Sequence, residues 1–253
     1  MLKQTHQIKE KMPIFSVAIP VHNRTKDLVM AIDSVMHQTL DSFEIILVTN
    51  GSPKDTLDII NHYVNQNKNK IRAFYYEDNT GNACRGRNRA IIEARGEYIS
   101  FLDSDDSYLK HTLATVLNAF QLSGADVVAG CVEWEVDGSR QVDGVYNGFR
   151  NRPCPVNVPV LLRNNPFMTC AVHIRRDVLL KFGGFRPQQR YLEDLECWLR
   201  LANNGCKFFY SPEILAKYKL HAGNTELNFI DEKSEWFRKM WSVYKEPFND
   251  WGV

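Results

Sequence analysis

Four short apolar runs constrain what this chain can fold into: 14–21 (IFSVAIPV), 43–48 (FEIILV), 71–76 and 98–102. Each is rich in β-branched and aromatic residues and bounded by polar turn residues, the pattern of a buried strand. Helical patterns fill the intervals. Thr25 stands where it could cap a helix carrying Leu28, Ile32 and Val35 at helical spacing. Ser52-Pro53-Lys54-Asp55 opens a second helix, with Ser at the cap and Pro at the first helical position; Leu57, Ile60 and Val64 continue its apolar face. The stretch NTGNACRGRN reads as a Gly-bearing polar loop. A short helix through Ala90, Ile91 and Ala94 follows, and Gly96 stops it. Strands alternating with helices predict an α/β fold with a mainly parallel sheet flanked by helices on both faces. Pro20, near the end of the first run, belongs at a sheet edge or in a loop because it cannot donate to a ladder.

Beyond the fourth strand the pattern predicts a helix over 109–122 and a strand over 125–132. Residues 133–165 carry Gly138, Gly144, Gly148 and several prolines, and the pattern assigns them no element. A strand over 168–174 and a helix over 176–181 ending at Gly183-Gly184 come next. Leu195, Leu199 and Ala202 then mark a helical face that Gly205 stops, and Phe208-Phe209 begins a short strand. In 226–253, Trp236, Phe237, Trp241, Tyr244, Phe248 and Trp251 lie among charges. This tail reads either as a helix packed on the domain or as a peripheral contact with a membrane surface or a partner.

At 253 residues the chain suits one large α/β domain or two small ones. A net charge of +1 gives no electrostatic footprint for nucleic acid. No apolar run approaches the roughly 20 residues that span a bilayer, and MLKQTHQIKEKM lacks the apolar core of a secretory signal. The six cysteines are scattered without Cys-x-x-Cys pairing and read as reduced thiols. The expected location is the cytoplasm, including the inner face of its membrane.

In an open α/β sheet, ligands bind beyond the carboxyl ends of the strands. That rule puts His22, Thr49-Asn50, the Arg87 region and Asp103-Asp105 on one rim. Three carboxylates at the mouth of a buried strand repel one another, so a positive group belongs there. A hard divalent cation, Mg²⁺ or Mn²⁺, suits such oxygens. The alternative is an acidic turn that caps the next helix.

The strings SVAIPVHNR, NTGNACRGRNRAIIEARGEYISFLDSDD and GGFRPQQRYLEDLECWLRL, followed by YKLHAGNT, resemble, in this order, the signatures of family 2 glycosyltransferases. The resemblance implies a GT-A fold over 13–225, with a nucleotide-sugar half (13–125) and an acceptor half (126–225), between a lead-in (1–12) and the tail (226–253). It implies inverting transfer from a nucleotide-diphosphate sugar, a UDP-sugar first, to a sugar, lipid-linked or protein hydroxyl. By the same resemblance Asp105 coordinates Mn²⁺ or Mg²⁺ and Asp103 contacts the ribose or the metal's water. Arg87, with Pro20, His22, Asn50 and Ser104, contacts the donor; Asp194 is the catalytic base; and His221 lies near metal and diphosphate. Thr49-Asn50 departs from the usual Asp-Asp, which leaves thymidine and guanosine donors open. Two other classes remain as alternatives: a binding protein or scaffold that kept the fold without turnover, and a sugar nucleotidyltransferase. The latter lacks its Gly-rich loop after the first strand, where PVHNRTKD stands.

Overall fold

The computed structural model of the chain describes residues 12–136, 139–143, 154–156, 161, 167–220 and 230–244. The four apolar runs form β1 (Phe15–Val21), β2 (Phe43–Thr49), β3 (Ile71–Phe74) and β4 (Tyr98–Phe101). They lie side by side in the order β3-β2-β1-β4, all parallel. Every residue of β1, β2 and β4 is buried, as expected for strands covered on both faces. Helices α1 (Lys26–Met36), α2 (Lys54–Gln66) and α3 (Cys84–Glu93) make the crossovers.

Past β4 the sheet turns mixed. The remaining strands are β5 (Ser107–Tyr108), β6 (Val127–Val136), β7 (Ser139–Asp143), β8 (Cys154–Val156), β9 (Val172–Arg175) and β10 (Phe208–Lys219). The order continues β4-β9-β6-β10-β5, with β9 antiparallel to both its neighbours and β10 parallel to β6. β7 adds to β6, and β8 to β10. Four helices complete the described structure: α4 (Thr112–Ser123), α5 (Arg176–Phe182), α6 (Glu193–Asn203) and α7 (Ile230–Tyr244).

Apolar side chains alternate along the strands into two cores. Val17, Ile19 and Val21 of β1 meet Leu28, Ile32 and Val35 of α1 on one face. Ala18 joins Ile46, Phe101, Ile91 and Trp198 on the other, together with Met240 and Tyr244 of α7. The tail helix is therefore docked: the Tyr244 hydroxyl donates to buried Glu196 of α6 at 3.0 Å. The side chains of Trp236, Phe237 and Trp241, and residues Phe248 and Trp251, lie outside the described residues.

Several local expectations shift. Pro20 is in the centre of the sheet, but the β1–β4 ladder ends at the Ala18–Phe101 pair. Its missing N–H is tolerated because β1 has only β2 beside it there. Ser52 does not cap α2; its hydroxyl donates to the Val21 carbonyl at 3.1 Å and so ties β1 to the turn after β2. Residues 84–88, read as loop, are the first turns of α3. Residues 169–171 form a 3-10 turn ahead of β9, and the strand begun at Phe208 runs twelve residues.

Gly86 decides how closely α3 approaches β1. A Cβ at this position would stand 2.9 Å from the Cβ of Pro20. In an open helix, Gly→Ala stabilises by roughly 0.5–1 kcal/mol. Here overpacking opposes that gain by about 1–3 kcal/mol. Gly86→Ala is therefore expected to lower the melting temperature. An unchanged or higher value would mean that α3 does not rest on Pro20.

Candidate active site

The turn after β4 holds the three carboxylates, closed by an Asp106 N–H to Asp103 C=O bond of 3.1 Å. They resolve their repulsion by diverging. Asp103 turns to Arg87, whose Nη2 donates to both its oxygens at 2.8 and 3.0 Å. Asp105 turns to Arg24, in the loop after β1, at 3.3 Å. Asp106 turns inward, 2% exposed, and accepts the Lys219 backbone N–H at 3.1 Å. Burial pushes the Asp106 carboxyl well up, and the Asp103 and Asp105 charges push it further. The Cys170 thiol beside it is also pushed well up, first by burial and then by Asp106. Ser104 is buried within the same turn.

Arg87 joins this turn to a distant part of the chain. Its side chain is 4% exposed and stacks over the Phe185 ring, 5.1 Å from its centroid. Its Nη1 donates to Glu193 at 2.9 Å. Burial works against the guanidinium charge, yet Asp103 and then Glu193 overcome it, and its pKa is raised. Burial likewise pushes the Glu193 carboxyl up, against the pull of Arg87.

Glu193 and Asp194 occupy the first turn of α6, where the positive end of the helix favours carboxylates. The residue before them, Leu192, has φ 57° and ψ 33°, and among the described residues it is the one non-glycine with positive φ. Such a conformation costs of order 1–3 kcal/mol. It persists because Leu192 packs against the core and Arg87 holds Glu193. The Asp194 carboxylate is oriented by two donors, the Leu195 N–H at 2.7 Å and the Thr169 hydroxyl at 3.2 Å.

A second cluster lies beyond β1 and β2. The His22 ring meets the Asn50 carbonyl through Nδ1 at 2.8 Å and Asn79 Nδ2 through Nε2 at 3.1 Å. A carbonyl only accepts, so Nδ1 carries the hydrogen and Nε2 receives one from Asn79. Asn50 is buried and fully engaged. Its Nδ2 donates to Asn79 and the Asn82 carbonyl at 2.9 and 3.2 Å, and its Oδ1 accepts from Thr80 and, at 2.6 Å, from Arg85. Arg85 in turn pairs with Asp78 at 2.7 and 2.8 Å and lies over Tyr76. Asn50 thus organises the loop 78–82.

The structure brings Arg87, Asp103 and the Glu193-Asp194 pair into one electrostatic cluster, with Asp105 one turn position away. His22 and Asn50 form the separate cluster just described, and Pro20 lies under α3. His221 is outside the described residues; β10 ends two positions before it, where Lys219 also pairs through Nζ with Asp27 at 2.7 Å. Arg24 and Arg85 lie inside strings that carry the resemblance and Thr169 lies outside them, yet none has a role legible there, because their partners are remote from them or sit in an unpatterned loop. Among the described residues no three His, Cys, Asp or Glu side chains are grouped to cage a metal. The donor set does fit a Mg²⁺-type ion, which needs only one or two carboxylates when phosphates supply the rest. Asp103 and Asp105 are the accessible oxygen donors, their side chains 29% and 18% exposed, and Asp106 is turned away.

The chain matches the family model described as Glycosyl transferase family 2 over residues 16–183. It is 29% identical over 242 residues to the putative teichuronic acid biosynthesis glycosyltransferase TuaG of Bacillus subtilis, covering 92% of this chain and 88% of that one. Its fold is similar to that of S. aureus TarS (1-349) in complex with UDP-GlcNAc, with a TM-score of 0.74 and 21% identity. It is also similar to the mannosyltransferase PcManGT of Pyrobaculum calidifontis in complex with GDP-Man and Mn²⁺, with a TM-score of 0.66 and 16% identity. These matches cover 91% and 96% of this chain, and 66% of each solved chain. The fold is GT-A, and the chain belongs to glycosyltransferase family 2.

Proposed function

We propose that the chain transfers a sugar, with inversion, from a nucleotide-diphosphate donor, a UDP-sugar first, to a hydroxyl of a growing polysaccharide or lipid-linked glycan. The observation that carries the reading is the buried Arg87 bridge: one guanidinium ties the Asp-x-Asp turn to the Glu-Asp pair of α6. The teichuronic acid role in the name of its B. subtilis relative supports a polysaccharide-type acceptor. The UDP-GlcNAc complex of TarS supports a uridine donor.

In this reading Asp194 takes the proton of the acceptor hydroxyl. The acceptor oxygen bonds to the anomeric carbon as the carbon–oxygen bond to the diphosphate breaks. The bonding pair leaves with the nucleoside diphosphate, so a single displacement inverts the centre and needs no enzyme nucleophile. Asp103, oriented by Arg87, faces the donor. A divalent ion held at Asp105 would neutralise charge on the leaving diphosphate. Arg24 pairs with that carboxylate at 3.3 Å and is the side chain that would yield to the ion. Asn50 acts indirectly on the nucleotide, by shaping the loop 78–82.

Asp194→Asn keeps size and helix-start geometry but cannot accept the proton. It is expected to cut turnover by at least about 10²-fold with donor affinity near wild type, because a general base acts in the transition state. If Asp194 only starts the helix, the variant will lose about 0.5–2 kcal/mol of stability and keep its turnover.

Asp105→Ala removes the oxygen donor that the ion would use. In wild type, UDP is expected to raise the melting temperature more with Mn²⁺ than without. In the variant the Mn²⁺-dependent part should vanish while the ligand-free melting temperature stays close to wild type. A full Mn²⁺ effect in the variant would remove Asp105 from the metal site.

A further inference from the structure

We infer that Glu193 is a positioning residue for the donor side of the site, acting on Asp103 through Arg87; the inference rests on the proposed reading of Asp103 as a donor contact. Glu193 stands beside the proposed base, yet it pairs with the donor-side arginine. The three groups form a chain of charge: Glu193 Oε1 accepts from Nη1 at 2.9 Å, and the two Asp103 oxygens accept from Nη2. The two nitrogens belong to one rigid planar fork, so fixing one fixes the direction of the other.

Other supports of the fork are weaker. Its Nε is buried without a hydrogen-bond partner, and Phe185 below it constrains tilt but not rotation in the plane. Without Glu193 the guanidinium could turn about its stem, and Asp103 would lose its paired geometry. The effect would be felt by the donor, although residue 193 begins an acceptor-side helix. The strained Leu192 fits this role, since a left-handed residue at this point turns the backbone so that Glu193 meets Arg87.

Two readouts test this. The first needs no ligand: melting temperatures of E193A, D103A and the double variant. Loss of Glu193 frees the fork and weakens the Asp103 contact as well, and loss of Asp103 weakens the Glu193 contact in the same way. The double variant is therefore expected to lose less than the sum of the single losses; additive losses would overturn the bridge. The second is the dissociation constant of UDP, GDP and dTDP with Mn²⁺. For the nucleotide that wild type binds, E193A is expected to bind about tenfold more weakly, within the range for coupled neighbours. E193Q, whose amide oxygen can still accept from Nη1, should recover part of the loss. A helix-start role alone would lower the melting temperature of E193A and leave its nucleotide affinity unchanged, which would overturn the inference. If wild type binds none of the three nucleotides, the donor reading fails instead, and the melting cycle alone decides whether the bridge exists.

Discussion

A buried guanidinium between two carboxylates is the constraint on which the rest of the site depends. Taking Arg87 out of water costs several kcal/mol, and only well-placed opposite charge offsets it. Asp103 and Glu193 supply that charge from positions 16 and 106 residues away in sequence. The pairing can form only when the turn after β4 and the start of α6 are correctly placed, so it links folding to site assembly. Breaking it from either side leaves the buried guanidinium with half of its compensating charge, and that penalty exceeds the worth of an exposed ion pair.

The fold serves this contact. The parallel strands β1, β2 and β4 end on one rim, and α3 lies close enough to β1 to bring Arg87 over that rim. Gly86, one residue before Arg87, permits the approach. On the far side, α6 is fixed by its own buried charges: Glu196 accepts from Arg200 and from Tyr244 of α7. The tail helix thus packs on the helix that presents Glu193 and Asp194. At the turn, Asp106 holds Lys219 at the end of β10, and the remaining carboxylates face the arginines. Among the described residues, no helix is long and apolar enough to cross a membrane.

Much of this was legible in the sequence, and the reasons are physical. Strands buried on both faces write uninterrupted apolar runs, so β1 to β4 could be placed within a few residues. Asp-x-Asp after a strand and Glu-Asp before an amphipathic helix are local patterns, and resemblance gave them roles. Helix starts were less legible: Ser52 and Thr25 look like caps, yet neither side chain makes a cap bond. Ser52 prefers Val21, a partner that only the sheet brings near. Asn50 read as a group facing a ligand, but both ends of its amide are consumed by Asn79, Thr80, Asn82 and Arg85. The Arg24–Asp105 and Arg87–Glu193 pairs span 81 and 106 residues, and no local pattern encodes them.

The central claim is that the Asp-x-Asp turn and the Glu-Asp pair serve one site, held together by Arg87. The most direct test is a crystal structure with UDP and Mn²⁺. The ion is expected at about 2.0–2.2 Å from an Asp105 oxygen, near the octahedral distances of such hard cations, with Arg24 displaced. Arg87 should still bridge Asp103 and Glu193, and the Asp194 carboxylate should face the bound diphosphate. Nucleotide bound away from the Asp103 turn, or Arg87 released from Glu193 onto the phosphates, would contradict the account.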